Sequence, residues 1–137
     1  MCNKCSFAWI HAFPYSERPG TLAANMKNKV PQSISGNRAK KITDFAINSK
    51  ISYVNHFAGK ELSAILETVR KPLALAAGDK NGNFIYHAVT ENFIHCEIHT
   101  AESLTVNKTV RIRIEKCLPE RILKGGEIEA LAEIIKP

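Results

Sequence analysis

Residues 60–137 contain short segments of alternating apolar and polar residues, which predict β-strands. The alternation is clearest at residues 106–115, where Val110, Ile112 and Ile114 face one way and two arginines and a glutamate face the other. Further strand-like segments lie at residues 61–69, 84–89 and 93–99. Turn signals lie at residues 79–82 and 90–92. Short strands at nearly even spacing are typical of a small antiparallel β-barrel, here of about five strands.

The residues before this region follow a different pattern. Residues 5–13 are an apolar and aromatic run, which predicts a strand buried on both faces. Two prolines and a glycine predict a loop at residues 14–25. Apolar positions at helical spacing predict a helix over residues 33–57, with Pro31 at its start and Gly59 just after its end. We therefore expect a mainly β protein with one basic helix before the barrel.

The composition is that of a globular protein with one domain, or with a small domain and an appendage. The 137 residues are 45% hydrophobic and 23% charged, which excludes a disordered or low-complexity chain. The 19 Lys and Arg outnumber the 13 Asp and Glu, which gives a net charge of +6. Residues 1–44 hold seven basic and two acidic side chains, whereas residues 71–137 hold nine of each. A basic N-terminal part favours an anionic partner.

The sequence offers little sign of a membrane, catalytic or metal site. No apolar stretch approaches the ~18 residues of a membrane helix, so we expect a cytoplasmic protein with no membrane contact. Cys2 and Cys5 form a C-x-x-C pair, which could be redox-active or half of a zinc site, but no second half follows. His95 and His99 could share a strand face, but a third ligand is not evident. We therefore predict free thiols, no catalytic residue and no metal ligand.

Residues 10–24 have the specific sequence IHAFPYSERPGTLAA. It resembles the F-x-Y-S-x-R-x-G-T-x-A-A stretch of the radical S-adenosylmethionine tRNA methylthiotransferases, where it forms the end of the radical enzyme barrel. Val30-Pro31 and Arg38 resemble the Q-V-P motif and the basic helix that follow in this family. Lys29 departs from the pattern, because the family usually has glutamine there.

The predicted barrel is similar to the TRAM domain of the same family, a small OB-like barrel that binds RNA. The resemblance is carried by FAGK at 57–60, TENFI at 90–94 and the strand at 106–114. It implies three parts, which are the end of the radical enzyme barrel at 1–29, a connecting helix at 30–59 and a TRAM-like barrel at 60–137.

The resemblance also implies a function. His11 with Phe13-Pro14 is similar to the family branch that acts on threonylcarbamoyladenosine in tRNA. Enzymes of the family use 4Fe–4S clusters and S-adenosylmethionine to add a methylthio group to C2 of a modified adenosine next to the anticodon. Their radical cluster needs a C-x-x-x-C-x-x-C motif, which Cys2 and Cys5 do not provide. We therefore expect the C-terminal part of such an enzyme, which holds no cofactor and is inactive alone.

Basic residues are the best functional candidates, because barrels of this kind bind RNA through positive charge and exposed aromatic rings. The resemblance makes the anticodon arm of tRNA the expected partner. The predicted RNA-binding residues are Arg18, Arg38, Lys40, Lys41, Tyr86, Phe93, Lys108, Arg111 and Arg113. Arg111 and Arg113 could instead lie on a solvated face, paired with carboxylates such as Glu97.

The sequence is also compatible with two other functions. The chain could be a free-standing RNA-binding module with no catalytic role, or an inert structural domain. In addition, a strand at residues 5–13 without its catalytic barrel would be uncovered, and such strands tend to pair with another strand. This predicts self-association through residues 5–13.

Overall fold

The structure is a computed structural model that describes residues 2–5, 7–70 and 84–135. The chain forms two compact units, Met1–Lys50 and Ile51–Pro137. The boundary between them falls inside a helix, so the division at 1–29, 30–59 and 60–137 stays a prediction. The turn signal at 79–82 lies outside the described residues.

The described elements of the first unit are helical. They are α1 (Cys2–Cys5), a 3₁₀ helix (Leu22–Asn25) and the greater part of α2 (Gln32–His56). The carbonyl of Pro31 accepts hydrogen bonds from two amides in the first turn of α2, both at 3.0 Å. The helix predicted over residues 33–57 is therefore confirmed. None of the described helices is long and apolar enough to cross a membrane.

The strand predicted at residues 5–13 is wrong. α1 occupies the start of this segment, and residues 7–13 have irregular backbone. The Phe7 carbonyl accepts a hydrogen bond from the hydroxyl of Ser49 on α2. A strand needs a neighbour for its backbone N–H and C=O groups, and the described residues of the first unit contain no strand.

The second unit is a closed five-stranded barrel, which confirms the predicted fold class. Its strands are β1 (Glu61–Arg70), β2 (Phe84–Thr90), β3 (His95–Thr100), β4 (Thr109–Cys117) and β5 (Ala130–Ile134). The order around the barrel, β1-β2-β3-β5-β4, is consistent with a small OB-like fold. A short helix, α3 (Pro119–Leu123), lies in the β4–β5 connection.

The barrel is not antiparallel throughout, which corrects one part of the prediction. Four neighbouring pairs are antiparallel, whereas β3 and β5 are parallel. The reason is geometric, since five strands cannot close a ring with every neighbour antiparallel. The β4–β5 connection that contains α3 places β5 alongside β3.

Alternation along the strands builds the core. Ile112 and Ile114 are fully buried, whereas Arg111 and Arg113 between them are exposed, as the sequence pattern predicts. The largest fully buried side chains are Tyr86, Leu66, Ile94, Ile98, Ile112, Ile114, Val54 and Cys96. Burial of this kind of side chain is the main favourable term in folding, at about 25 cal/mol per Å² of apolar surface.

Gly59 connects the end of α2 to β1. Its φ of +78° lies in the left-handed region that favours glycine. Its amide donates to the carbonyl of Ile114 at 2.7 Å, and the amide of Ile114 donates to the carbonyl of Lys60 at 3.1 Å. The glycine predicted at the helix end therefore also fixes the start of the barrel.

Cys5, Cys96 and Cys117 are free thiols, as predicted. Cys96 and Cys117 are buried, and burial raises the pKa of Cys96 to about 12 and also raises the pKa of Cys117. Both buried thiols stay protonated at neutral pH and are poor nucleophiles.

Candidate nucleic-acid interface

A groove lies on the outer face of β2 and β3, beside the β4–β5 connection. It has a volume of about 390 Å³. We call it the β2–β3 groove, and its polar lining residues are Arg70, His87, Glu97, Arg121, Lys124 and Glu127. OB-type barrels bind oligonucleotides on the face of strands 2 and 3, with help from the 1–2 and 4–5 loops. The groove therefore lies on the face that OB-type barrels use for this purpose.

Strand register explains why these residues meet. His87 on β2 pairs directly with Glu97 on β3, and both point outward because their neighbours along each strand are buried. Arg70 is the last residue of β1 and pairs with Ile85. Arg121 lies on α3, and Lys124 follows directly after this helix. Three strands and one connection thus contribute to a single surface.

Glu97 fixes the orientation of Arg121. Arg121 donates to the two carboxylate oxygens of Glu97, from Nη1 at 2.9 Å and from Nη2 at 3.5 Å, and His99 Nε2 lies 2.7 Å from Oε1. The Glu97 side chain is only 14% exposed. Burial by itself raises the pKa of Glu97, but the hydrogen bonds from Arg121 and His99 outweigh it, so the pKa is lowered. The carboxylate is therefore ionised at neutral pH and holds the guanidinium in place.

The remaining cations of the groove are available to a ligand. Arg70 and Lys124 are exposed and form no ion pair within residues 2–5, 7–70 and 84–135. Arg121 uses one N–H of each terminal nitrogen for Glu97, and a guanidinium has five N–H donors in all. Such donors suit phosphate oxygens, and arginine can bind them in bidentate geometry. The three cations outnumber the two carboxylates of the lining, Glu97 and Glu127, so the arrangement suits an anionic group such as a phosphodiester.

The arginines predicted on β4 have protein partners. Arg113 donates to Glu61 at 2.9 Å and to Glu133 at 3.0 Å, and these hydrogen bonds raise its pKa. Arg111 lies 3.5 Å from the same Glu61. The structure therefore favours the salt-bridged alternative for this face. The carboxylate partners of Arg111 and Arg113 are Glu61 and Glu133. The expected partner Glu97 pairs with Arg121 instead.

The two aromatic candidates differ. Tyr86 is 1% exposed, and its hydroxyl donates to the Leu104 carbonyl and accepts from the Leu104 amide, at 3.1 and 2.7 Å. It is a core residue and cannot stack on a base, so that prediction is wrong. Phe93 is 76% exposed and lies in the β2–β3 turn, where its ring is accessible. Lys108 is also exposed, in the β3–β4 connection.

The other predicted residues belong to the first unit. Arg18, Arg38, Lys40 and Lys41 are all exposed. Residues 1–50 hold eight Lys and Arg against two Asp and Glu, a net charge of +6, whereas residues 51–137 hold eleven of each. The whole net charge of the chain is therefore in the first unit, and a local arrangement of charges must create any anion site on the barrel.

Sequence reasoning missed four groove residues, namely Arg70, His87, Arg121 and Lys124. Only the register pairs His87 with Glu97, and only the closure of the barrel brings Arg121 to the β2–β3 face. The available signal was the position of Arg121 and Lys124, just before Gly125-Gly126 in the connection between two predicted strands.

A metal site has no support in the described parts of the chain. No group of three or more His, Cys, Asp or Glu residues there could hold a metal ion. His95 and His99 belong to β3, and Glu97 is the partner of His99.

No family model matches the chain. Among curated proteins, it is 43% identical over 67 residues to threonylcarbamoyladenosine tRNA methylthiotransferase MtaB of Treponema pallidum, which covers 49% of the chain and 14% of that protein. It is 35% identical over 91 residues to MtaB of Rickettsia prowazekii, a match that covers 66% of the chain and 18% of that protein. It is 26% identical over 119 residues to tRNA-2-methylthio-N(6)-dimethylallyladenosine synthase of Bdellovibrio bacteriovorus. This match covers 87% of the chain and 24% of that protein.

The chain is homologous to the tRNA methylthiotransferases. The suspected family is thereby confirmed, and the two MtaB relatives agree with the branch that the sequence indicated. The matched regions span less than a quarter of the length of these methylthiotransferases.

Proposed function

We propose that the chain is the C-terminal, RNA-contacting portion of a tRNA methylthiotransferase. The parent enzyme would add a methylthio group to C2 of a modified adenosine next to the anticodon. One observation supports this most directly: the match to the Bdellovibrio bacteriovorus synthase covers 87% of the chain and so includes most of the barrel that has the β2–β3 groove.

In this proposal the chain holds the substrate and does not perform the chemistry. The family's 4Fe–4S clusters and S-adenosylmethionine supply the radical chemistry elsewhere in the parent enzyme. A remote module that grips the anticodon arm positions the reacting adenosine without touching it. Alone, the chain is expected to bind tRNA and to leave the base unmodified.

The β2–β3 groove provides the grip. Arg121, held by Glu97, presents its remaining N–H groups, and Arg70 and Lys124 add exposed positive charges. RNA loops display phosphates along an irregular path, which a small set of oriented donors can follow. Binding of each phosphate releases counterions, so the affinity falls as the salt concentration rises.

The test is the affinity of the full chain for a labelled tRNA anticodon stem-loop between 50 and 200 mM KCl, measured by fluorescence anisotropy. The double variant Arg70→Gln/Lys124→Gln should bind about tenfold more weakly, and its salt slope should be lower by about 1 for each phosphate that it no longer neutralises. Neither side chain has an ion pair within the barrel as described, so unfolding should be unchanged. Lys116→Gln, at an exposed lysine on β4, is the control for each of the two groove substitutions made singly, since each then removes one positive charge.

Two results would contradict the proposal. Absence of binding at 50 mM KCl would favour an inert structural domain. Loss of binding in Arg111→Gln/Arg113→Gln, with unchanged binding in the groove variant, would place the site on β4 instead.

We also propose self-association through residues 5–13, based on exposed aromatic side chains and not on a strand edge. There is no strand edge at residues 7–13, but Phe7, Trp9 and Phe13 are 43%, 40% and 84% exposed. The net charge of +6 in the same unit opposes pairing of two copies, so association should increase with salt. Sedimentation of the chain and of Trp9→Ser/Phe13→Ser at 0.1 and 0.5 M KCl tests this. Equal sedimentation of the two at both concentrations would exclude it.

A further inference from the structure

The β2–β3 turn holds an exposed aromatic residue in a strained backbone conformation. Phe93 has φ of +61° and is 76% exposed. A bulky side chain rarely adopts the left-handed region, because its Cβ approaches the backbone too closely. An exposed ring gains little packing that could offset this strain. Other residues must therefore impose this conformation.

Hydrogen bonds on both sides of Phe93 impose it. The amide of Phe93 donates to the Thr90 carbonyl at 2.9 Å. The amide of Ile94 donates to the Thr90 hydroxyl at 2.8 Å, and the amide of Thr90 donates to the Ile94 carbonyl at 3.0 Å. The Thr90 hydroxyl also lies 2.5 Å from Oδ1 of Asn92. The residues before and after Phe93 are thus fixed to the same threonine.

The turn is also fixed to the rest of the second unit. The hydroxyl of Tyr53, near the end of α2, donates to the Asn92 carbonyl at 3.1 Å. The amide of Glu91 donates to the carbonyl of Ser63 on β1 at 2.9 Å. Phe93 therefore has a defined position relative to the barrel, which a ring at the tip of a loose turn would lack.

Tyr53 also belongs to a cluster of aromatic rings with a cation. The rings of Tyr53 and Phe57 pack edge to face at 5.1 Å, and Lys60 Nζ lies 5.1 Å from the centre of the Phe57 ring. His56 Nε2 is 2.8 Å from Lys60 Nζ. Tyr53, which fixes the turn, is thus in contact with a ring that carries a cation, and a cation near the turn would attract the phosphate of a nucleotide whose base stacks.

We propose that Phe93 is a preformed stacking platform for an unpaired base of the bound RNA, and that Thr90, Asn92 and Tyr53 are its positioning residues. This rests on the RNA-binding function proposed above. Because the turn is already fixed, stacking requires little ordering of the protein, which favours tight binding. Base–aromatic stacking of this kind corresponds to about a 5- to 150-fold change in affinity per base.

The main test uses a substitution that keeps the backbone and removes the ring. Asparagine tolerates the left-handed region, so Phe93→Asn should fold with stability equal to or above that of the parent chain. Its affinity for the anticodon stem-loop should fall at least fivefold, and its affinity for a fully paired RNA of equal length should not change. Phe93→Trp, which keeps an aromatic ring at this position, should bind the stem-loop as the parent chain does. Ile65→Thr, which removes an exposed apolar side chain from β1, is the control.

A spectroscopic measurement tests the positioning role. The fluorescence of 2-aminopurine placed in the loop of the stem-loop should be quenched when the RNA binds to the full chain, because the base stacks on Phe93. Tyr53→Phe removes the hydrogen bond to Asn92 and should reduce the quenching, while Tyr15→Phe in the first unit should not.

The failure of this inference can be told apart from failure of RNA binding. If Phe93→Asn binds the stem-loop as tightly as the parent chain while Arg70→Gln/Lys124→Gln weakens binding, Phe93 does not stack and the RNA-binding function stands. Equal losses of affinity for looped and paired RNA would also overturn the stacking role, as would clear destabilisation by Phe93→Asn.

Discussion

Replacing Glu97 with glutamine removes the charge that orients Arg121 while it keeps the size and shape of the side chain. Glu97 accepts hydrogen bonds from Arg121 at 2.9 and 3.5 Å and contacts His99 at 2.7 Å. Glutamine has one oxygen acceptor and places an NH₂ group against the donors of Arg121. At least one of the hydrogen bonds therefore breaks, and the ion pair disappears completely.

The magnitude follows from how deeply each partner is buried. The Glu97 side chain is 14% exposed, but that of Arg121 is 42% exposed, so the arginine can regain water when its partner is removed. The cost should therefore lie below the ~3–5 kcal/mol of a broken buried pair and above the ~0–1 kcal/mol of a surface pair. We expect about 1–2 kcal/mol, which corresponds to a Tm lower by about 4–16 °C for a domain of 60–100 residues.

The pH dependence of the unfolding free energy is a second measurement that tests the role of Glu97. The folded protein lowers the pKa of Glu97, so the carboxylate contributes stability above the unfolded value of ~4.3 and loses it as the pH falls through the folded value. Glu97→Gln lacks this contribution at every pH. The difference in unfolding free energy between the two proteins should be largest near pH 7 and should shrink as the pH falls below about 4.5.

Urea unfolding followed by circular dichroism at pH 7, 5 and 3 would measure this difference. Glu133→Gln is the matched control, because Glu133 is 50% exposed and pairs with the exposed Arg113, so its effect should be much smaller. A Glu97→Gln variant as stable as the parent chain at pH 7 would refute the reasoning. A difference that does not change between pH 7 and pH 3 would refute the role of the charge.

Three further outcomes are expected. Ile98→Ala should lower the unfolding free energy by about 2–5 kcal/mol, because Ile98 is fully buried and leaves a cavity; a loss below about 1 kcal/mol in urea unfolding would contradict the core described here. Iodoacetamide at pH 8 should alkylate exposed Cys5 and spare Cys96, whose pKa is raised to about 12; mass spectrometry showing equal modification of both in the folded chain would speak against this. Gly59→Ala should cost about 1 kcal/mol, because φ is +78° there, and an unchanged Tm would argue against that conformation.

The fold was largely predictable because its determinants are local. Alternation at residues 110–115 places Ile112 and Ile114 inside and Arg111 and Arg113 outside, as the structure has them. The strand at residues 5–13 was predicted wrongly because an apolar run indicates burial but not what covers it. The parallel β3–β5 pair follows from closing a ring of five strands, which the sequence pattern does not reveal.

The site was less predictable because it depends on pairing across the barrel. Tyr86 looked like a stacking residue, but alternation puts it inside, next to outward-facing His87. Arg113 looked free, but β1 and β5 bring Glu61 and Glu133 to it. Arg121 gained significance only when the structure placed Glu97 next to it. Charge counting therefore found the basic first unit and missed the local cations of the β2–β3 groove.

The central claim is that the β2–β3 groove contacts tRNA. Titration of the ¹⁵N-labelled full chain with an unlabelled tRNA anticodon stem-loop, followed through the backbone amide signals, tests it most directly. We expect the largest shifts at Arg70, His87 and Lys124, and we expect them to diminish as KCl is raised. Shifts confined to Arg111 and Arg113 on β4, or no salt-sensitive shifts on the barrel, would contradict it.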